Sequence, residues 1–361
     1  MKINTERTIT LKDQIKRFAI ESLYGFNIII LIGMGRKLGI FDYFYLKGKK
    51  VPTSDYTILR FTPQELSDNL GLDKEYLDAW IHLALECDIF EIDNAQKEQL
   101  RSSPYIYELL IDFNHNSYVG GTLGAFYNIA LLQELMLNNF KTGKSINLLQ
   151  LPPEIVKELQ ERSRRFGNLI YSLFAKHYKD FCEKLNESGI ILEVGCGYGY
   201  NLETWVKMFK KARFVGIDID PVAISSTQKM IEQNNWNQRV KLINCNIHEY
   251  KNAIKEKFNL IILNQVLHEM NLNDDSSILL FKDLYNLLKD EGILLVGESM
   301  IPDTFAPKSK FQLFDITHKF SEAGSARFYN EKSFKEFIDS TPFTKTKFIR
   351  EGGTYFWVIK K

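Results

Sequence analysis

The chain has only four cysteines in 361 residues: Cys87, Cys182, Cys196 and Cys245. They lie too far apart for a disulfide framework or a C-x-x-C pair, a pattern that fits a reducing compartment and gives no sign of structural zinc. Neither charge is in excess. The 46 basic and 45 acidic side chains nearly cancel, so no whole-molecule field selects nucleic acid or an anionic membrane. Long apolar runs are also missing. The most apolar N-terminal stretch, LYGFNIIILIGM from Leu23 to Met34, is about a dozen residues, well short of the ~18–20 that span a bilayer. The opening MKINTERTITLKDQ lacks a signal-peptide layout, so a cytoplasmic protein without a membrane partner is expected. No internal repeat or low-complexity tract stands out.

What is present divides the chain. Its length suggests two domains, and 45% hydrophobic content supplies normal cores. Residues 11–46 read as helical, with an apolar face around Ile28, Leu31, Ile32, Leu38 and Ile40. In FTPQELSDNLG, Thr62 is a good N-cap, Pro63 sits at the first helical position, Glu65 completes a capping box, and the helix ends near Gly71. A second helix begins around Asp73 and buries Leu77, Trp80, Ile81 and Leu85, and DIFEID follows as a short strand. That order is the pattern of a winged helix. Between Arg60 and Leu100, however, three basic residues face ten acidic ones, a balance that phosphate repels. Packing and dimerisation are therefore expected of this module, and DNA binding is not.

Residues 116–185 read as mostly helical, broken at Pro152-Pro153. From Gly189 onward strands alternate with helices: IILEV, RFVGID, VKLINC, FNLIILN and GILLVGE. This alternation predicts an α/β domain with a mostly parallel sheet covered on both faces. The final KTKFIREGGTYFWVIKK reads as a hairpin about Gly352-Gly353.

The stretch IILEVGCGYGY carries the binding signal. Its strand gives way to Gly195, Gly197 and Gly199, where missing Cβ atoms permit a sharp turn and close ligand approach. The spacing is not the G-x-G-x-x-G of a nicotinamide site, and no Gly-Lys-Ser/Thr follows it as a Walker loop requires. Glu193 stands just ahead of the glycines, and Asp218 ends the next strand, where a carboxylate accepts bonds from ribose hydroxyls. A phosphate gains nothing from Glu193 there; a cationic cofactor with a ribose does. S-adenosylmethionine has these features.

On these motifs, residues 189–300 resemble a class I S-adenosylmethionine-dependent methyltransferase. With the phrases GRKLGIFDYF and FTPQELSDNLGLDKEYLDAWIHLALECDIFE, nearly the whole chain resembles the small-molecule O-methyltransferases with an N-terminal winged-helix dimerisation domain. The resemblance implies a Rossmann-like sheet closed by an antiparallel last strand. It implies a homodimer with a winged-helix domain over residues 1–115, linking helices over 116–185 and a methyltransferase domain over 186–361. It assigns Glu193, Gly195, Gly197 and Gly199 to the methionine and ribose part, Asp218 to the ribose hydroxyls and Ile219 to adenine. Asn246 stands where an Asp normally receives the adenine amino group, and its amide oxygen accepts the same bond. Ile247 and Asn264 complete the implied cofactor-binding set.

Methyl transfer is an in-line displacement, and a base matters only where the acceptor carries a proton at neutral pH. His268 follows the fourth strand and matches the family's catalytic-base histidine, with Glu298 after the fifth strand as its orienting carboxylate. Two departures stand out: Glu269-Met270 replaces the usual Asp-Trp, and Ala326 replaces a second carboxylate. His318 and Asp315 fall where the family lines the acceptor pocket. His82 and His177 read as structural, His115 and His248 carry no signal, and the aromatic stretch LIYSLFAKHY reads as core. The expected reaction is methyl transfer to a hydroxyl of a small metabolite. One alternative is a nitrogen, sulfur or peptide side-chain acceptor, with His268 only shaping the pocket; another is a non-catalytic S-adenosylmethionine-binding regulator. No metal is expected, because no carboxylate cluster accompanies the site.

Overall fold

The computed structural model describes residues 9–50, 56–253, 256–270, 273–301, 313–322, 327–351 and 354–361. It divides into two compact units, Met1–Ala130 and Leu131–Lys361. The Gly352-Gly353 turn lies outside the described residues.

The first unit opens with one continuous helix, Leu11–Lys37, interrupted by a π turn over Lys16–Glu21. The apolar run read from the sequence is short, but the helix has 27 residues and contains an 18-residue window of mean hydropathy 1.6, long and apolar enough by length and composition to cross a membrane. Local sequence hides this, because charged residues interrupt the first half while the helix continues through them. Its C-terminal half is core: Leu31 and Ile32 are fully buried, and Trp80 Nε1–H donates to the Leu31 carbonyl at 3.0 Å.

Helix Ile40–Gly48 follows, then strand β1 (Arg60–Phe61), helices Pro63–Leu70 and Lys74–Glu86, and strands β2 (Phe90–Asn94) and β3 (Gln99–Ser102). The strands form an antiparallel sheet in the order β1-β3-β2. Thr62 caps its helix by accepting the Glu65 N–H at 3.1 Å, and Gly71 ends it in the left-handed conformation. The capping box expected at Glu65 does not form. Its carboxylate accepts instead from Tyr43 Oη at 2.5 Å and from Lys47, charge-assisted partners that outcompete a neutral backbone N–H. Asp73 accepts from the N–H groups of Glu75 and Tyr76. Leu77, Trp80, Ile81 and Ala84 face the core, whereas Leu85 is only half-buried.

The second unit begins with helices Gln133–Thr142, Pro153–Gln160, Arg164–His177 and Lys179–Ser188. Ile170, Leu173 and Phe174 of the aromatic stretch are core, as expected. Seven strands follow: β4 (Ile190–Val194), β5 (Arg213–Asp218), β6 (Val240–Asn244), β7 (Phe258–Asn264), β8 (Leu288–Glu298), β9 (Lys345–Glu351) and β10 (Thr354–Lys360). Their order is β6-β5-β4-β7-β8-β10-β9. The first five pair in parallel, and β10 runs antiparallel between β8 and β9. Apolar clusters cover both faces, which is why the central strands read as unbroken apolar runs. Chain order reverses between β4 and β7, and ligands bind in α/β sheets at the carboxyl ends of strands flanking such a switch.

Candidate functional site

The turn after β4 is left-handed at all three alternate glycines, with φ of 71° at Gly195, 48° at Gly197 and 73° at Gly199. Space excludes side chains there as well. A Cβ on Gly195 would lie 2.4 Å from Val266 Cγ2, and one on Gly199 would lie 2.4 Å from Thr227 Cγ2. Gly195 and Cys196 both donate their N–H groups to the Ile217 carbonyl, at 2.8 and 3.1 Å. Gly197 N–H donates to Asp218 Oδ2 at 2.7 Å. The loop is thus laced to the end of β5, and helix Tyr200–Met208 starts directly after it.

This loop walls a cavity of about 810 Å³, inside the ~300–1,000 Å³ range of small-molecule sites. Every residue expected to hold the cofactor lines the cavity except Gly199, which sits behind and turns the chain into the helix. Glu193 is 2% exposed; its Oε1 accepts from Asn201 Nδ2 at 2.7 Å, and its Oε2 has no hydrogen-bond partner among the described residues. Burial pushes its carboxyl up to about 8; the Asn201 bond opposes this and the charge on Asp218 adds to it. Burial also raises Asp218, against the backbone N–H groups it accepts, among them Asp220 at 2.9 Å and Gly197. Each of its oxygens keeps lone-pair capacity for a hydroxyl donor.

Ile219 is 62% exposed at the cavity wall, and Ile247 is buried beside it in sequence to Asn246. The Asn246 amide oxygen accepts the Glu249 N–H at 2.9 Å and has a second lone pair for an amine. Asn264, at the end of β7, is buried with neither Oδ1 nor Nδ2 hydrogen-bonded among the described residues. Two orphaned buried polar groups, on Glu193 and Asn264, face one cavity. Such groups carry a desolvation cost that a polar ligand relieves.

The structure also brings His268 and Glu298 together. His268 Nδ1 lies 2.7 Å from Glu298 Oε2, while Glu298 Oε1 accepts from the N–H groups of Val266 at 3.0 Å and Leu267 at 2.7 Å. The carboxylate therefore fixes both the ring and the turn that carries it. His268 is 1% exposed, stacked on Phe328 with centroids 5.2 Å apart and met edge-on by His318 at 5.1 Å. It adjoins the cavity through its neighbours Val266 and Glu269, which line it, rather than lining it itself. His318 Nε2 lies 3.3 Å from Arg162 Nη2. The Asp315 side chain and Ala326 lie outside the described residues.

Sequence reading misses three participants. Asn201 pairs with Glu193 across the loop, and Gln160 Oε1 accepts the Tyr198 N–H at 3.4 Å, covering the loop from helix Pro153–Gln160. Glu269 turns toward His268, its Oε1 3.7 Å from Nε2. For Asn201 and Gln160 no spacing signal exists, since each contact is set by how helices pack.

Comparison with known proteins adds three findings. Residues 185–333 match the family described as methyltransferase domain. Malonyl-[acyl-carrier protein] O-methyltransferase of Priestia megaterium is 31% identical over 143 residues, 37% of this chain and 48% of that protein; the chain spans about half the length of this curated relative. Among solved structures, human N-acetylserotonin methyltransferase in complex with S-adenosylmethionine matches with a TM-score of 0.65 at 13% identity, covering 100% of this chain and 99% of that one. N,N-8-amino-8-demethyl-D-riboflavin dimethyltransferase from Streptomyces davawensis matches with a TM-score of 0.63 at 15% identity, covering 97% and 98%. At such identities the likeness is one of fold.

Proposed function

We propose that this chain, whose second unit has the class I methyltransferase fold with a methyltransferase domain at residues 185–333, transfers a methyl group from S-adenosylmethionine to a hydroxyl of a small metabolite. S-adenosylmethionine is the cofactor, and it supplies an electrophilic methyl on a sulfonium centre. The observation that carries the reading is the pair of carboxylates, Glu193 buried and Asp218 half-buried, at the ends of adjacent strands about a left-handed glycine turn. Asp218 accepts the ribose hydroxyls, Asn246 the adenine amine, and Ile219 with Ile247 sandwiches the base. Glu193 and Asn264 take the charged amino-acid end, satisfying their orphaned atoms. Holding donor and acceptor in line supplies much of the rate. His268, oriented by Glu298, removes the acceptor proton.

Calorimetry tests the cofactor assignment. S-adenosylmethionine should bind, and Asp218→Ala should weaken it by roughly 1–3 kcal/mol through lost hydrogen bonds at a buried site. Binding of NAD without binding of S-adenosylmethionine overturns it.

One observation favours a second reading. His268 is closed under Phe328 and His318 rather than facing the cavity, as fits a histidine that only shapes the pocket beside a nitrogen or sulfur acceptor. For the first unit we adopt a winged-helix dimerisation module over residues 1–115, joined by linking helices over 116–185 to the methyl-transfer domain over 186–361. Supporting it are the small β1-β3-β2 sheet against paired helices and the acidic balance that disfavours DNA.

A further inference from the structure

His268 is not the group best placed to touch an acceptor. Its ring is 1% exposed and closed in by Phe328 and His318. Glu269, the next residue in the turn Leu267–Met270, lines the cavity with its side chain 39% exposed. Its Oε1 lies 3.7 Å from His268 Nε2, and Glu298 Oε2 holds the opposite nitrogen, Nδ1, at 2.7 Å. We propose that Glu269 is a catalytic residue, the wall carboxylate that takes the acceptor's proton and hands it to the buried His268–Glu298 pair. This rests on the hydroxyl-methylation reading above and deepens it by naming the residue in contact with the acceptor.

A base acts only within hydrogen-bond reach of the proton it takes, directly or through one water. Burial denies His268 that reach, whereas Glu269 has a long side chain at the open wall. Its gap to Nε2 exceeds a hydrogen bond by roughly 0.5–1 Å, which a rotation of the glutamate closes. The tautomer fits the direction of transfer. Glu298 gives Oε1 to the N–H groups of Val266 and Leu267 and accepts the ring's Nδ1–H through Oε2. That leaves the ring's lone pair on Nε2, the nitrogen nearer Glu269. Methyl transfer joins carbon to the acceptor oxygen while the carbon–sulfur electron pair returns to sulfur. The hydroxyl proton passes to Glu269 and then to His268 Nε2, and the imidazolium so formed lies between two carboxylates until the proton leaves to water. A carboxylate is a weak base beside a resting phenol, ~4.3 against ~10. The attacking oxygen, however, grows strongly acidic as it gains its third bond, so a proton transfer late in the step runs downhill.

The charges around the ring divide by sign. Glu298 and Glu269 favour its imidazolium. Arg162, 3.3 Å from Nε2 of the neighbouring His318, and Lys319, 6.0 Å from the Phe328 ring centre, oppose it. Arg327 donates its backbone N–H to the His268 carbonyl at 3.0 Å and adds a further positive charge over Tyr329.

Nitrogen-15 NMR of the full-length chain, labelled at histidine, reads the coupling without cofactor or acceptor. His268 is assigned by its loss in His268→Gln or, should that variant fail to fold, by through-bond correlation. Glu269→Gln keeps the volume of an exposed wall residue. In it the His268 midpoint should fall by about half a unit or more, and exchange of the imidazolium Nε2 proton with water should slow by about tenfold or more. On a hydroxyl acceptor the same variant should lose about tenfold or more in kcat with the Kd for S-adenosylmethionine unchanged, and Glu269→Asp should restore part of the loss. An unchanged midpoint, unchanged exchange or near-normal kcat overturns the proton hand-over alone. Turnover confined to amines or thiols overturns the hydroxyl reading together with it.

Discussion

Glu193 is where the local physics is most exposed to experiment. Its carboxyl titrates near ~4.3 in an unfolded chain and near about 8 in the fold, chiefly because burial penalises the charged form. The native state therefore binds the proton more tightly than the unfolded state does. Stability present below the unfolded value is lost as pH rises toward the folded one. The ligand-free protein should show a falling melting temperature between about pH 5 and 8, and Glu193→Gln should flatten that fall. A cationic cofactor reverses the preference by favouring the carboxylate. Binding at neutral pH should then release up to one proton, read as a buffer-dependent heat in calorimetry and lost in Glu193→Gln. Equal heats in buffers of different ionisation enthalpy would rule out this role for Glu193. His268 gives the second residue-scale prediction. If the acceptor is a hydroxyl, His268→Ala should lower kcat by about 10²–10⁴-fold, the range of a general base, while cofactor affinity stays near normal. A variant with near-normal kcat moves the acceptor to nitrogen or sulfur and leaves His268 as a wall.

At the scale of elements, the turn between β4 and helix Tyr200–Met208 holds most of the binding geometry. Gly195→Ala meets two separate obstacles there. A left-handed backbone costs a non-glycine residue about 1–2 kcal/mol, and its Cβ would lie 2.4 Å from Val266 Cγ2. The single variant should lose stability in chemical denaturation and bind cofactor poorly. Adding Val266→Ala should recover the steric part and leave the backbone part. Full recovery in the double variant would show that the left-handed conformation costs nothing here. This turn was legible in the sequence because glycine spacing, strand pattern and Asp218 at the next strand's end all report one local geometry. RFVGID and FNLIILN match β5 and β7 residue for residue, since each is a short apolar run whose polar residues, Arg213 and Asp218 in one and Asn259 and Asn264 in the other, stand at or next to the strand ends. Contacts made by packing were not legible. Glu65 follows Thr62 at capping-box spacing, yet its carboxylate goes to Tyr43 and Lys47 on another helix. Gln160 covers the glycine turn only because its helix packs against Tyr198 and Tyr200, and the approach of His318 to His268 likewise depends on where a distant helix packs.

For the whole molecule, the question is what covers the first helix. Leu11, Ile15, Phe18, Leu23 and Phe26 of helix Leu11–Lys37 are exposed, Phe18 at 64%. Exposed apolar surface of this extent marks an interaction site. Two covers are physically available, a lipid bilayer or a second copy of the chain. Leu31, Ile32, Gly33 and Gly35 are buried in the first unit, so the stretch from residue 31 onward is committed there. The remaining residues 11–30 would have to span alone, yet they carry Lys12, Asp13, Lys16, Arg17 and Glu21, and each charge at the bilayer centre costs about 2.5–3.5 kcal/mol on insertion scales. A protein partner tolerates those charges at the rim of an interface and buries the aromatic and aliphatic residues between them. A twofold pairing of identical helices is the commonest way to do so. Light scattering should therefore report twice 42.1 kDa. Removing the whole segment is a poor test, because Leu31, Ile32, Ile40, Phe41 and Phe44 are core residues of the unit. Phe18→Glu with Phe26→Glu instead changes only exposed positions. That variant should run as a monomer with an essentially unchanged melting temperature for the second unit. A wild-type chain that is monomeric in buffer and sediments with lipid vesicles would assign the helix to a membrane surface instead.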